Sequence, residues 1–232
     1  MSTIVTYNKG AQVTKPDEHY AQSGGTACFT DFNSATPDGF TNTGSAVIDG
    51  AYGSSLYLND ADEIEYAGAS ELFKPRAGVD FAGKSRTKIV WGASDTTTQQ
   101  IGFLASSVAS PAEDIAFSIA TSGATASPAM TITCRFDTGA TDSSETLTAA
   151  DLPDGFDVDA WHEYAILVET DSNDLVVAKY FIDGELVKTI KVSGVGDWAA
   201  AGLVWCQTNL TASSTHDQAI DWISLGSSYR PA

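Results

Sequence analysis

The chain has 232 residues, 43% of them hydrophobic and 18% charged, with 30 Asp and Glu against 12 Lys and Arg for a formal net charge of −18. Such a composition is globular and long enough to bury a sizeable core. It is too acidic to hold nucleic acid phosphates or an anionic membrane surface by charge, so neither partner is expected.

Residues 1–27 are polar, contain Pro16 and the pair Gly24-Gly25, and show no sustained alternation of apolar and polar residues. They are read as an N-terminal extended arm, ahead of one domain over 28–232. The opening Met-Ser-Thr-Ile-Val-Thr-Tyr-Asn-Lys has no basic stretch followed by an apolar run. No secretory signal is therefore expected, and assembly in a cytoplasm is. No segment approaches the roughly 18 apolar residues of a membrane span.

From there the period is two. Strands are predicted at Ser55–Asn59, Glu63–Ala67, Thr87–Gly92, Gln100–Ala105, Asp114–Thr121, Ala129–Phe136 and Ser144–Thr148. Further strands are predicted at Trp161–Glu169, Leu175–Ile182, Glu185–Val192, Leu203–Thr208 and Ala219–Leu225. A single helical turn is expected at Ser70–Lys74. Many short strands separated by turn-forming clusters point to an all-β, two-sheet antiparallel sandwich. The pattern is sharpest at 161–192. His162, Tyr164, Ile166 and Val168 share one face, and Val176, Ala178, Tyr180 and Ile182 share the next. Asp183-Gly184 between two strands is a two-residue hairpin signal, because both residues tolerate the positive φ of a type I′ turn.

The three cysteines, Cys28, Cys134 and Cys206, form no C-x-x-C pair, so neither a zinc site nor a redox motif is indicated. Three free thiols are expected, with Cys134 and Cys206 buried in strands.

The meander resembles domains of the concanavalin-like lectin/glucanase superfamily, which includes laminin-G and pentraxin domains. The residues that carry this are Trp161-His162-Glu163-Tyr164-Ala165 and Tyr180-Phe181-Ile182-Asp183-Gly184-Glu185-Leu186-Val187. Gly50-Ala51-Tyr52-Gly53-Ser54-Ser55-Leu56-Tyr57-Leu58 looks like the family's early strand opening, and Ala219-Ile220-Asp221-Trp222-Ile223-Ser224-Leu225 like its closing strand. The resemblance covers roughly 29–227 and implies a jelly-roll sandwich. It implies little about function, because the fold hosts enzymes, lectins and structural modules.

A glucanase in this family would carry two catalytic Glu in a Glu-x-Asp-x-(x)-Glu arrangement, with carboxyl groups about 5 Å apart for retaining chemistry. The nearest string, Asp60-Ala61-Asp62-Glu63-Ile64-Glu65, puts Glu63 and Glu65 on one face but lacks the Glu-x-Asp core, so a solvated strand edge is expected. No nucleophile elbow occurs. His19, His162 and His216 are scattered, and His162 is expected to pack at the start of its strand. Related domains hold calcium at a loop rim. Asp151–Asp159 and Asp171–Asp174 are the densest acidic loops, but neither has the spacing of a calcium loop, and Asp and Asn are ordinary turn residues. Among aromatic candidates for a sugar groove, Trp91, Trp205 and Trp222 are expected in the core, and Trp198, whose Gly-rich loop makes it the one candidate for exposure, is expected to pack in the core or at an edge too.

No catalytic, cofactor-binding or metal residue is assigned, and no cofactor. The expected function is a non-catalytic structural and interaction protein, of the phage capsid decoration (cement) kind or another virion surface protein. Its expected partners are capsid proteins or sister subunits in a homo-oligomer. A carbohydrate-binding module for host attachment or adhesion is the alternative, with a glycan as partner, and a glycoside-active enzyme is the weakest.

Overall fold

The structure, a computed structural model, describes residues 4–6, 12–14, 26–32, 37, 39–44, 46–49, 55–59, 62–66, 72–92, 95–105, 113–123, 128–139, 141–171, 175–193, 202–210 and 216–228. Its strands are β1 (Ile4–Thr6), β2 (Gln12–Thr14), β3 (Thr26–Thr30), β4 (Phe40–Thr43), β5 (Val47–Asp49) and β6 (Ser55–Leu58). Then come β7 (Glu63–Tyr66), β8 (Phe81–Val90), β9 (Asp95–Leu104), β10 (Asp114–Gly123), β11 (Ala129–Asp137) and β12 (Glu145–Thr146). The series closes with β13 (His162–Thr170), β14 (Leu175–Ile182), β15 (Glu185–Ser193), β16 (Val204–Asn209) and β17 (Asp217–Ser227).

One antiparallel sheet runs β12-β11-β10-β9-β16-β7-β4, and the other β15-β14-β13-β8-β17-β6-β5, with β3 also paired to β17. The two pack as a sandwich. Inward residues of both sheets meet as rings edge to face. Phe103 of the seven-stranded sheet lies 4.9 Å from Phe81 of the other and 5.0 Å from Trp205. Phe117 lies 5.3 Å from both Tyr164 and Tyr180. Edge-to-face pairs of this kind contribute about 0.5–1.5 kcal/mol each beyond the area they bury. Cys134 is buried in this core, Cys206 is buried on the other face of its sheet with Leu104 and Ala116, and none of Cys28, Cys134 and Cys206 is in a disulfide.

Within residues 1–27, β1 and β2 pair with each other as a separate two-stranded sheet. The strand that joins the sandwich from the N-terminal side begins at Thr26, opposite Ser227. Of the helical turn expected at Ser70–Lys74, residues 70 and 71 lie outside the described residues. Phe73 makes an isolated bridge to Leu203 and is buried.

Several strands are longer than their hydrophobic pattern. β8 begins at Phe81, not Thr87, because its inward positions include Gly83, Ser85 and Thr87. β9 begins at Asp95, not Gln100, because Thr97 and Gln99 face inward and are buried. A polar inner face removes the apolar alternation by which a strand is recognised. Polar bonds replace apolar contact there. Thr87 Oγ1 donates to Gln207 Oε1 at 3.2 Å, and Asn209 Nδ2 donates to the His216 carbonyl at 2.7 Å.

The 161–192 meander forms as its sequence dictates. Asp183 and Gly184 adopt φ of 50° and 82°, the two left-handed positions of a type I′ turn. Asp183 also ties this turn back to β13. Its carboxylate accepts from the Glu163 amide at 2.8 Å and from His162 Nδ1 at 2.6 Å. His162 Nε2 donates to the Asp157 carbonyl at 2.7 Å, and the ring stacks on Phe156 at 4.2 Å. Both ring nitrogens thus face acceptors, which only the doubly protonated imidazolium satisfies. Burial pushes the His162 pKa down, but the bonds to Asp183 and Asp157 outweigh it and hold it above the ordinary histidine value. Burial likewise pushes Asp183 up, and the bonds from His162 and the Glu163 amide bring it below the ordinary carboxylate value.

Two outcomes are expected. Gly184→Val places a β-branched residue at positive φ and costs on the order of 1–3 kcal/mol; equal melting of variant and parent in thermal denaturation would refute the turn assignment. The His162–Asp183 contact stabilises fully below the unfolded histidine pKa of about 6.5 and fades as pH rises through the raised folded value. At the acid end it is lost as pH falls through the lowered Asp183 value. Parent and His162→Gln should therefore differ most in melting temperature between about pH 4 and pH 6.5, and the gap should narrow at alkaline pH. A gap that widens with rising pH contradicts the charged latch.

Candidate functional site

The two described histidines are apart. His162 belongs to the hairpin latch, and His216 is buried between the sheets, with Nδ1 3.1 Å from Thr121 Oγ1 and its ring edge-on to Trp91 at 5.2 Å. His19 and Trp198 lie outside the described residues. Among the described residues, no group of three or more His, Cys, Asp or Glu side chains is placed to hold a metal ion. In the first acidic loop, Asp151 accepts from the Thr148 amide and hydroxyl at 2.8 and 2.7 Å, and Asp157 accepts from the Asp159 amide at 3.0 Å. In the second, Asp171 accepts from the Leu175 amide at 3.0 Å, and residues 172–174 lie outside the described residues.

Glu63 and Glu65 are not on a solvated strand edge. β7 lies inside its sheet between β16 and β4, and Glu63 is only 8% exposed. Across the register they stand opposite Thr208 and Cys206, on the outer face of the seven-stranded sheet. Burial first, and then these two carboxylates, push the Cys206 thiol far above its ordinary pKa, so it is no nucleophile. Further along the same face, Asp114 is fully buried, and its carboxyl is pushed up to about 6 by burial, with the bond from Arg135 at 2.7 Å pulling the other way.

The eight-stranded sheet carries the other notable face. Ile220 pairs with Thr87 and faces the core, while Trp222 pairs with Arg86, because the register shifts between them. That bulge turns Trp222 outward, although two residues apart on a regular strand would share a face. Trp222 is therefore half-buried on the surface rather than in the core with Trp205 and Trp91. The Lys84 ammonium stands 5.3 Å from its ring and pairs with Glu163. Phe29, 44% exposed, lies 6.3 Å away. Beside this pair, the Arg86 guanidinium sits 5.3 Å from the half-buried Trp161 ring and bonds Asp221 at 2.6 Å.

This surface presents rigid aromatic area with the Arg86–Asp221 pair at its margin, while Lys84 is itself buried, a combination of aromatic rings and cations typical of binding surfaces. It offers contact and hydrogen bonds, and among its described residues no nucleophile is paired to a base. The sequence missed it for one reason: a bulge leaves no mark in a period-two pattern.

No protein-family model matches the chain, and no curated protein matches it in sequence. Solved structures do match in fold. A peanut lectin bound to a nine-residue peptide is 10% identical with a TM-score of 0.55, over 89% of this chain and 99% of that one. A Lotus tetragonolobus seed lectin is 8% identical with a TM-score of 0.55, over 89% and 100%. The CBM2 module of an evolved Dit from Lactobacillus casei BL23 phage J-1 is 13% identical with a TM-score of 0.51, over 86% and 94%. At these identities the likeness is one of fold, and the chain is a lectin-type β-sandwich of the jelly-roll architecture.

Proposed function

We propose that this chain is a non-catalytic structural and interaction protein of a virion surface, of the capsid decoration kind, which contacts capsid proteins or sister subunits. The observation that carries the interaction role is the outer face of the eight-stranded sheet, where Trp161 and Trp222 each lie beside a cation and Phe29 is exposed. Tryptophan and arginine are the residues that dominate protein interfaces. A formal charge of −18 keeps crowded copies soluble. A phage module among the structures of similar fold agrees with the virion setting.

The second reading, a carbohydrate-binding module, draws on the same face. Half-exposed tryptophans beside an Arg86–Asp221 pair are also what a sugar ring stacks on and hydrogen-bonds to.

The readings separate in two assays. Mass spectrometry of gradient-purified virions from the source culture should find the chain as a major component, and Trp161→Ala with Trp222→Ala should lower its incorporation. A glycan array should give no signal. Absence from virions contradicts the proposal, and array binding that depends on Trp222 moves the assignment to the carbohydrate-binding reading.

A further inference from the structure

A different part of the molecule carries a more specific partner chemistry. Between β11 and the segment 147–158 lies a cleft of about 280 Å³, lined by Met130, Ile132, Leu147, Leu152, Phe156 and Val158. Its size is at the lower bound of small-molecule pockets and suits one large apolar side chain. Its walls are pinned. The Leu147 amide bonds the Ile132 carbonyl at 2.8 Å, the Phe156 amide bonds the Pro153 carbonyl at 3.0 Å, and Phe156 stacks on His162. Binding there requires little ordering of the receptor.

The segment around this apolar floor is strongly acidic. From Thr141 to Trp161 the sequence carries Asp142, Glu145, Asp151, Asp154, Asp157 and Asp159, with no Lys or Arg. Lys188 approaches from β15, where it is paired to Glu145. Asp154 and Asp159 are exposed, and among the described residues their carboxylates engage in no hydrogen bond or ion pair. Asp157 and Asp159 flank the lining residue Val158, and Asp151 precedes Leu152. A cleft with this rim repels acidic segments, including a second copy of this chain, and attracts cationic ones.

We infer that the cleft between β11 and the 147–158 segment docks a basic segment of a protein partner, which places one large apolar side chain on Phe156 and Leu152 and sets Lys or Arg against Asp154 and Asp159. This rests on the reading of the chain as an interaction module and names the chemistry of a partner.

The test is titration of the full chain with fluorescently labelled acetyl-Lys-Lys-Trp-Lys-Lys-amide, followed by anisotropy. The controls are the same peptide with Gly for Trp and the same peptide with Glu for every Lys. The basic Trp peptide should bind at least about tenfold more tightly than either control. Its affinity should fall as salt is raised from about 50 to about 500 mM. Asp154→Lys with Asp159→Lys, which cuts no bond of the fold, should weaken it at least about tenfold. Ala149→Trp, at an exposed position of the cleft lining, should weaken it without altering the melting temperature. Equal binding of the Gly peptide would reduce the site to a diffuse acidic field and overturn the inference. So would equal binding of the acidic peptide, or no binding at all. The virion assay is independent. A chain found in virions that binds no peptide refutes the cleft alone. A chain that binds the peptide yet is absent from virions refutes the virion placement alone.

Discussion

Trp205 lying on the bare backbone of Gly83 is the contact on which the sandwich depends. Packed sheets stand about 10 Å apart, with side chains from both inner faces filling the gap. At this point the eight-stranded sheet contributes no side chain, and the Trp205 indole, with the Phe103 ring beside it, fills the space. A Cβ at Gly83 would stand 2.1 Å from Trp205 Cε3 and Cζ3 and 3.0 Å from Phe103 Cζ. Trp205 is fully buried, so it has nowhere to move. Phe103 packs against its edge, and Phe73 and Phe81 pack on Phe103 at 5.1 and 4.9 Å. The aromatic core grows outward from this one close approach.

The same strand links core to surface. β8 lies between β13 and β17, with Gly83 turned inward and Lys84 and Arg86 turned outward. Whatever fixes the height of Gly83 therefore fixes the two cations beside Trp222 and Trp161. The bulge in β17 completes the arrangement by presenting Trp222 to Arg86. A binding face mounted on a central, well-packed strand is held more precisely than one on loops.

The fold class was legible in the sequence, and so was the 161–192 meander down to its turn residues. Apolar alternation in those strands coincides with an apolar inner face. The half of the sandwich lined by Ser85, Thr87, Thr97, Gln99, Gln207, Asn209 and Gln218 was only partly legible, because a polar interior looks like a loop in sequence. Its amides bond across the gap, as Gln218 Nε2 does to the Thr208 carbonyl at 2.9 Å. Such bonding can be read only once both sheets are placed. The candidate surface was hidden for a related reason: Trp222 reads as core by parity with Ile220, and a single extra residue reverses it. Glu63 and Glu65, without a catalytic Glu-x-Asp core, read as a solvated strand edge, whereas β16 and β4, far away in sequence, flank their strand and Glu63 is buried. The acidic residues of 151–159 were visible as a loop, but the apolar cleft beside them needs Met130 and Ile132 from another strand.

The close approach at Gly83 is probed by Gly83→Ala, for which the expected sign is unusual. At an ordinary backbone conformation, Gly→Ala stabilises by about 0.4–1 kcal/mol through the unfolded chain. Here the added methyl meets a buried indole, so chemical denaturation should show a loss of about 1–3 kcal/mol. A variant as stable as the parent, or more stable, would mean that Trp205 does not rest on that backbone and that the sheets are spaced by something else.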